Sequence, residues 1–345
     1  MNKSLKLSLA CFLMIISLIT YSRELILPFD HGKHSEAELE WWDFFGELTD
    51  SNNQTFGFNL NFIRLRVNPQ QSPSLWRTRD VYTSYLTITD NEQKQFYLQE
   101  KENRTSFNFA GASDQQLFVW NRNWTAFMND KPIFLMTETK DSSLNLRLSS
   151  TKSPILLGNN GFLEEQNLYL YSLPNLQGIG ELRLGDHHYQ IVRVKGAMEH
   201  AFQINKSSDI VSDKFVIQLD NNDDILIYIL ASQQSNFTSP ESFCIISYTD
   251  EKSVLLGLSD FHFEQLNSWF SVDSQITYPS GWRLTIPSAH FDLNIVPAMK
   301  NQEIVTMNDI YWKGHSFVTG TKDGVPVKGY AYVELSKKIT RDYVL

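Results

Sequence analysis

Cysteine is scarce in this sequence: the 345 residues contain only two, Cys11 and Cys244. Because Cys11 lies in the apolar N-terminal segment, the rest of the chain has a single thiol and cannot form an internal disulfide. The fold must therefore depend on a hydrophobic core rather than on cross-links. Cys244 lies in the apolar stretch SFCIISY, and we predict that it is a core residue rather than a nucleophile.

Clusters of lysine and arginine are also missing, and the formal net charge is −9. This charge argues against nucleic acid and against an anionic membrane surface as partners. The sequence contains no glycine-rich phosphate loop, no serine nucleophile elbow and no CxxC pair. Nucleotide and flavin chemistry are therefore unsupported, and we predict no cofactor.

The longest apolar run lies at the N-terminus. Two lysines precede an apolar stretch from Leu7 to about Ile19, and small residues follow up to Ser22. This pattern is typical of a secretory signal peptide over residues 1–22, and it predicts export to the periplasm or beyond. The run is short for a membrane span, although an uncleaved anchor is the alternative interpretation.

Alternation with period two dominates the remaining sequence and predicts an all-β fold. In the stretch from Phe56 to Phe62 the apolar residues take even positions, whereas from Ile63 to Val67 they take odd ones. That change of phase predicts a bulge near Phe62 or two strands meeting there. The segment from Phe215 to Leu230 predicts a hairpin, with its turn in the Asn/Asp-rich residues 221–224.

Two domains are expected from the length and from a polar segment between strand-rich halves. The segment from Gln203 to Asp213 separates them, so we place the domains at 23–203 and 204–345. Aromatic residues make up 13% of the chain. Short strands at steady spacing predict a sandwich or a barrel. A barrel this rich in aromatics is either filled by its own side chains or encloses an apolar ligand, and both alternatives stay open.

The segment DHGKHSEAELEWW, starting at Asp30, combines two histidines with several carboxylates. His31 and His34 have a spacing that would suit zinc. No later Cys/His pair has metal-like spacing, so we favour a polar lead-in to the first strand and predict no metal site. Trp41 and Trp42 would point to opposite faces of that strand, so one of them needs cover from a second layer, a domain or a ligand.

The segment VKGAMEHAF places a glutamate beside a histidine. In a strand, Met198, His200 and Phe202 share an apolar face, whereas Glu199 shares the opposite face with basic residues. His200 is then either a satisfied core histidine or a base whose pKa is lowered by an apolar pocket. Glu199 could reach the same substrate only if the strand bulged near Gly196.

Four segments together resemble the AttH/CrtC family, the lipocalin-like proteins that include bacterial carotenoid 1,2-hydratase. They occur in the family's order and span nearly all of the chain after the signal peptide. The segments are DHGKHSEAELEWWDFFGEL (Asp30 to Leu48), GAMEHAF (Gly196 to Phe202), YPSGWRLTIP (Tyr278 to Pro287) and YWKGHSFVTG…GYAYVEL (Tyr311 to Leu335).

The resemblance implies two lipocalin-like antiparallel β-barrel domains, export, and often an association with an ABC-type transporter. Members that are hydratases add water across an isolated C=C bond. Where the family commonly reads Asp-His-x-Trp, this chain reads Glu199-His200-Ala201-Phe202. Tyr228 matches a family tyrosine, but Ile229 and Leu230 follow it where the hydratases have an acid. These departures point away from carotenoid hydration in particular.

Two functions follow as expectations. The first is an exported protein that binds an apolar, lipid-like or isoprenoid-like molecule in a barrel cavity. The alternative is a hydratase or hydrolase on such a substrate, with His200 as base, Glu199 as acid or orienting partner, and Tyr228 as a polar contact. The predicted ligand-contacting residues are Trp41, Trp42, Met198, Phe202, Trp282 and Trp312.

Overall fold

The computed structural model describes residues 23–67, 78–205, 210–232, 238–250, 252–306 and 310–336. The predicted signal peptide, residues 1–22, lies outside them, as do residues 206–209 of the polar segment. Strands dominate, so the predicted all-β fold is confirmed. The strands are β1 (Leu39–Asp50), β2 (Thr55–Arg66), β3 (Asp80–Asp90), β4 (Gln95–Arg104), β5 (Ala110–Ala112), β6 (Phe118–Asn121), β7 (Trp124–Met128), β8 (Ile133–Glu138), β9 (Ser142–Ser150), β10 (Ile155–Leu156), β11 (Phe162–Leu163), β12 (Leu168–Leu184), β13 (His187–Gln203), β14 (Ile210–Leu219), β15 (Asp224–Ser232), β16 (Phe243–Ser247), β17 (Ser253–Gly257), β18 (His262–Gln265), β19 (Ser268–Phe270), β20 (Thr277–Pro279), β21 (Trp282–Ile286), β22 (Phe291–Pro297), β23 (Glu303–Val305), β24 (Ile310–Lys322) and β25 (Val325–Leu335). Short 3-10 helices cover Phe29–His31, Ser106–Asn108, Leu258–Asp260 and Pro287–Ala289.

The first sheet is a nearly closed antiparallel barrel with the order β4-β3-β2-β1-β13-β12-β9-β8-β7-β6-β5. Side chains from alternate positions, such as Phe44, Leu60 and Leu146, fill its interior. The buried amide of Asn121 on β6 donates to the carbonyl oxygens of Tyr82 and Lys101, at 3.1 Å each. Asn121 thus links one edge of the sheet to β3 and β4 and helps to close the barrel.

The second sheet is a half-barrel with the order β17-β16-β15-β14-β25-β24-β22-β21-β18. Its inner face is apolar, with Ile217, Ile227 and Leu293 among the buried residues. The predicted hairpin is confirmed: β14 ends at Leu219 and pairs with β15 from Asp224 onward. Strand β13 is the last of the first sheet and β14 the first of the second, so the chain changes sheets between Gln203 and Ile210.

The bulge predicted near Phe62 is wrong. β2 pairs with β1 and with β3 without a shift of register. The even positions point into the barrel throughout, but beyond Phe62 the interior becomes polar, where Arg64 meets Glu40. The odd positions point outward, where Ile63 packs against a second apolar layer. The hydrophobic phase changes because the environment of each face changes, while the strand itself continues.

The two sheets pack against each other through their outer faces. We call this interface the seam: the outward side chains of β1, β2, β3 and β13 against those of β14, β15, β24 and β25. Apolar residues including Phe45, Ala197, Val216 and Leu226 form one part of it. The seam therefore holds the two sheets together as a layered unit. No helix in the described part of the chain is long and apolar enough to cross a membrane.

Candidate functional site

The adjacent residues Glu199 and His200 face in opposite directions from β13. The pairing of β1 with β13 runs without a shift from Leu39 to Thr49, so the strand does not bulge against β1 near Gly196. Glu199 points into the seam, whereas His200 points into the barrel. The structure therefore does not bring these two side chains together, and each belongs to its own polar cluster.

Buried charges gather around Glu199 in the seam. Lys214 Nζ lies 2.6 Å from Glu199 Oε2 and 3.3 Å from Asp43 Oδ2. Lys313 Nζ lies 2.6 Å from the same Asp43 oxygen and 2.9 Å from Glu334 Oε2. Glu334 is the most exposed of the five, with a third of its side chain open. We call these residues the seam cluster.

Tyr228 completes the surroundings of Glu199. Its hydroxyl donates to Glu199 Oε1 at 2.7 Å, and its ring stacks on Phe243 with centroids 5.1 Å apart. Burial, followed by the nearby Glu199 carboxylate, raises the pKa of Tyr228 well above its ordinary value. The phenol therefore stays protonated and acts as a donor. Lys214 and Tyr228 each hold one oxygen of the same carboxylate.

The lysines and acids of the seam cluster stabilise each other's charged forms. Burial opposes the charge on Lys214, but the surrounding carboxylates, led by Glu199, outweigh it and hold its pKa well above the usual value. Burial likewise opposes ionisation of Glu334, yet the ammonium groups of Lys214 and Lys313 lower its pKa to about 2. Lys214 and Glu334 are thus both held in their charged forms at neutral pH.

Several buried polar atoms beside this cluster have no hydrogen-bond partner among the described residues. Asn59 and Asn61 donate their amide groups to Asp43 Oδ1 at 2.5 and 3.1 Å, and their own carbonyl oxygens are left unpaired. Ser172, opposite Glu199 on β12, has an unpaired hydroxyl. Buried unpaired groups each cost about 1–3 kcal/mol, so these positions are unfavourable for stability.

His200 lies at the centre of a second cluster, inside the barrel. Its Nε2 lies 3.0 Å from Glu40 Oε1, and its Nδ1 lies 3.0 Å from the Asp30 carbonyl oxygen and 3.2 Å from the Tyr171 hydroxyl. Trp42 stacks on its ring at 4.8 Å. Burial lowers the pKa of His200, although Glu40 opposes the shift. The side chain is completely buried.

The other members of this cluster come from the segment before β1, from β1 and from β2, and we call the set the histidine cluster: Asp30, His34, Glu40, Arg64 and His200. His34 lies with Nδ1 2.8 Å from Glu40 Oε1 and Nε2 3.1 Å from Asp30 Oδ1. Arg64 Nε donates to Glu40 Oε2 at 3.0 Å. Burial by itself would raise the pKa of Glu40. The hydrogen bonds from His200 and His34 outweigh this effect, so the net pKa is lowered to about 2. The predicted polar lead-in is therefore a buried network.

All but one of the residues predicted to contact a ligand are packed in the two cores. Trp42, Met198 and Phe202 belong to the barrel interior, and Trp282 and Trp312 to the second sheet; each is at most 2% exposed. Trp41 instead packs, half-buried, at the seam. Aromatic alternation does not distinguish a filled core from a cavity, and these five side chains lie in a filled one.

Two pockets in the described part of the chain lie away from these side chains. One, of about 140 Å³, is lined by Lys152, Ser247 and neighbours, and another, of about 260 Å³, by Ser143, Arg183 and neighbours. Neither is lined by any predicted site residue. The predicted ligand-contacting side chains other than Trp41 are instead buried within the two cores.

Sequence reasoning missed most of the seam cluster. Asp43, Lys214, Lys313 and Glu334 come from four strands, and only the packing of the two sheets brings them together. A signal was present: each occupies a polar position within a strongly apolar strand. Alternation alone assigns such positions to solvent, so the seam could not be recognised without the second sheet.

The fold and these clusters define a class of protein, an all-β molecule of two lipocalin-like barrels joined along a polar seam. A family model for AttH-like proteins matches residues 19–337. The chain therefore belongs to the AttH-like family, and the family predicted from the four sequence segments is confirmed.

Solved structures have the same fold. A protein from Nitrosomonas europaea described as AttH is 19% identical, with a TM-score of 0.77 covering 92% of this chain and 98% of that one. Kievitone hydratase from Nectria haematococca is 15% identical, with a TM-score of 0.69 covering 90% and 92%. CghA in complex with Sch210972 is 12% identical, with a TM-score of 0.55 covering 87% and 88%. A comparison with curated proteins gave no match.

Proposed function

We propose that the protein is a lyase of the hydratase type that acts on an apolar unsaturated substrate at the seam, with Glu199 as its proton-transferring group. This proposal depends on the hydrogen bonds of the Glu199 carboxylate. One of its oxygens accepts from the Tyr228 hydroxyl and the other from the Lys214 ammonium group. Both contacts lie next to the apolar part of the seam.

A carrier of apolar molecules has no need for this arrangement. Removing one partner of a buried ion pair typically costs about 3–5 kcal/mol, whereas well-packed apolar residues in its place are often neutral or stabilising. Buried ion pairs and unpaired polar atoms at one location are more typical of chemistry than of storage. The seam cluster therefore favours the enzyme over the carrier.

Water addition requires a group that gives a proton and takes one back. Glu199, once protonated, can pass its proton to one carbon, forming a C–H bond as the π bond breaks. Water then bonds through oxygen to the other carbon, and the Glu199 carboxylate takes the proton that this water loses. Tyr228 and Lys214 orient the carboxylate.

The relatives support the reaction class. Kievitone hydratase is a hydratase by name and has this fold over most of both chains. The resemblance to carotenoid hydratase suggests the same class, although the Glu199 and Leu230 positions depart from it. We therefore assign a hydration reaction without assigning carotenoids as the substrate.

The test uses kievitone and the carotenoid lycopene as probes, incubated with the purified mature protein in isotopically labelled water. Product is measured by mass spectrometry as the gain of one labelled water. We expect Glu199→Gln to lower turnover by about 10²-fold or more, because it removes the proton-transferring group. Tyr228→Phe should lower it less, because it removes only an orienting contact.

Glu241→Gln, an exposed change just before β16, is the matched control and should keep wild-type turnover. Wild-type turnover in Glu199→Gln would contradict the proposal. Binding of a probe without turnover in the wild-type protein would instead support the carrier function.

We infer that binding of an apolar molecule is the second candidate, because the apolar residues of the seam flank Glu199 and end at the half-buried Trp41. The test is native mass spectrometry of protein purified without detergent. Binding predicts that a lipid-sized ligand remains attached to the protein. For either function we propose action after export, in the periplasm or outside the cell, and presentation to an ABC-type transporter in the carrier case.

A further inference from the structure

Three side chains of the histidine cluster direct ligand atoms at one point. Nδ1 of His34 lies 2.8 Å from Glu40 Oε1, and Nε2 of His200 lies 3.0 Å from that same oxygen. One ligand atom from each of the three residues lies within 4.8 Å of the others, and all three residues are buried. The separations of 2.8 and 3.0 Å from Glu40 Oε1 suit neighbouring ligands of one ion, because zinc binds imidazole nitrogen at about 2.0–2.1 Å and carboxylate oxygen at about 2.0–2.2 Å.

The atom of each side chain that faces away from the proposed ion is hydrogen-bonded, as is usual for metal ligands in proteins. The second nitrogen of His34 faces Asp30 Oδ1 at 3.1 Å, and that of His200 faces the Asp30 carbonyl oxygen at 3.0 Å. The other Glu40 oxygen accepts from Arg64 at 3.0 Å. Metal-bound histidines almost always donate their free ring N–H to a carboxylate or a backbone carbonyl, and ligating carboxylates are hydrogen-bonded in turn.

A count of hydrogens shows why protons alone satisfy this network poorly. Three of the four ring nitrogens of His34 and His200 face only acceptors, namely Glu40 Oε1 twice and Asp30 Oδ1, whereas His200 Nδ1 faces the Asp30 carbonyl oxygen and the Tyr171 hydroxyl. Carboxylate and carbonyl oxygens accept only. Neutral imidazoles carry one N–H each, so when both N–H groups donate to Asp30, both nitrogen lone pairs are directed at Glu40 Oε1. A cation between them and Glu40 converts those repulsive contacts into coordination.

We propose that His34, Glu40 and His200 bind one Zn²⁺ ion, with Asp30 and Arg64 orienting the ligands. Two imidazoles and one carboxylate form a set that zinc commonly uses, and imidazole nitrogen does not suit Mg²⁺ or Ca²⁺. The ion would tie the segment before β1 to β1 and β13. It would lie inside the barrel, on the face of β13 opposite Glu199, and it is therefore independent of the proposed reaction at the seam.

The experiment compares metal content and thermal unfolding. Purified mature protein is stripped with EDTA, given excess Zn²⁺, freed of unbound metal and measured by elemental mass spectrometry. We expect one zinc per chain and a rise in the unfolding temperature, since a ligand that binds only the folded state stabilises it. His34→Gln and His200→Gln should lose the zinc, and Asp30→Asn should weaken binding by about 10–100-fold.

His187→Gln, which changes an exposed histidine at the start of β13, is the matched control and should keep the zinc. Glu199→Gln should keep it as well, which separates this proposal from the proposed reaction. Substoichiometric zinc in the wild-type protein, or equal zinc in the His34 and His200 variants, would overturn the proposal.

X-ray absorption at the zinc edge of the wild-type protein gives an answer even if the histidine variants do not fold. We expect two imidazole ligands and a first shell at about 2.0–2.1 Å. A shell without imidazole would overturn the assignment.

Discussion

Adjacent side chains on β13 serve two separate clusters because a strand directs neighbours to opposite faces. Glu199 meets Lys214 and Tyr228 in the seam, and His200 meets Glu40 inside the barrel. The two residues therefore do not need to act on one substrate. Each can be changed without removing the contacts of the other, so substitutions can separate their roles.

Acid should weaken the seam through Glu334. Its pKa in the folded protein is about 2, against an ordinary value of 4.5, so the stability that its carboxylate contributes is fully present above the ordinary value. That contribution is lost as the pH falls toward the folded pKa. We expect the difference in the free energy of unfolding between wild type and Glu334→Gln to shrink as the pH falls from 4.5 toward about 2. Urea unfolding at several pH values measures this difference.

The exposed change Glu241→Gln is the control and should follow the wild-type protein across the same pH range. A difference between wild type and Glu334→Gln that stays constant down to about pH 2.5 would contradict the role given to the lysines.

At the scale of elements, β2 and β24 meet closely at Gly57. A Cβ atom on Gly57 would overlap the Cβ of His315 and lie 2.9 Å from its Cγ. His315 Nε2 also lies 3.1 Å from Glu47 Oε2, so the ring cannot move away without loss of that contact. We expect Gly57→Ala to lower the free energy of unfolding by about 2 kcal/mol through overpacking, as measured by urea denaturation.

Gly257→Ala provides the comparison. Its added methyl group meets nothing closer than Asp260 Oδ2 at 3.7 Å, so we expect a change within about 0.5 kcal/mol. Equal stability of the two variants would mean that β2 and β24 do not pack as described.

At the scale of the whole molecule, the seam joins the two sheets into one cooperative unit. It buries apolar residues on both sides as well as the five charges of the seam cluster. We expect a single transition in urea, coincident by far-UV circular dichroism and tryptophan fluorescence. Tyr332→Ala removes a buried ring whose centroid lies 5.2 Å from that of Phe45. We expect it either to lower the free energy of unfolding by about 3 kcal/mol or to separate the unfolding of the two sheets into two transitions.

Phe270→Ala, which truncates a half-exposed ring on β19, should leave the single transition in place. Two separated transitions in the wild-type protein would show that the sheets unfold independently and that the seam is weaker than its contacts suggest.

Much of the fold followed from short-range pattern. The family segments, the all-β class and the hairpin around residues 221–224 were predicted and are confirmed. The sequence also predicted that Met198, His200 and Phe202 share one face of the strand, because alternation is a property of the extended backbone. The bulge near Phe62 was wrong because the sequence pattern reflects what surrounds a strand as well as how the strand runs.

The sequence by itself determined which residues lie on which face of each strand, since that depends only on neighbouring backbone geometry. Only the tertiary structure decided what each face meets. Lys214 reaches Glu199 from another sheet, and His200 reaches Glu40 and His34 from 160 or more positions away. Such contacts depend on barrel closure and on the packing of two sheets, which no local pattern specifies.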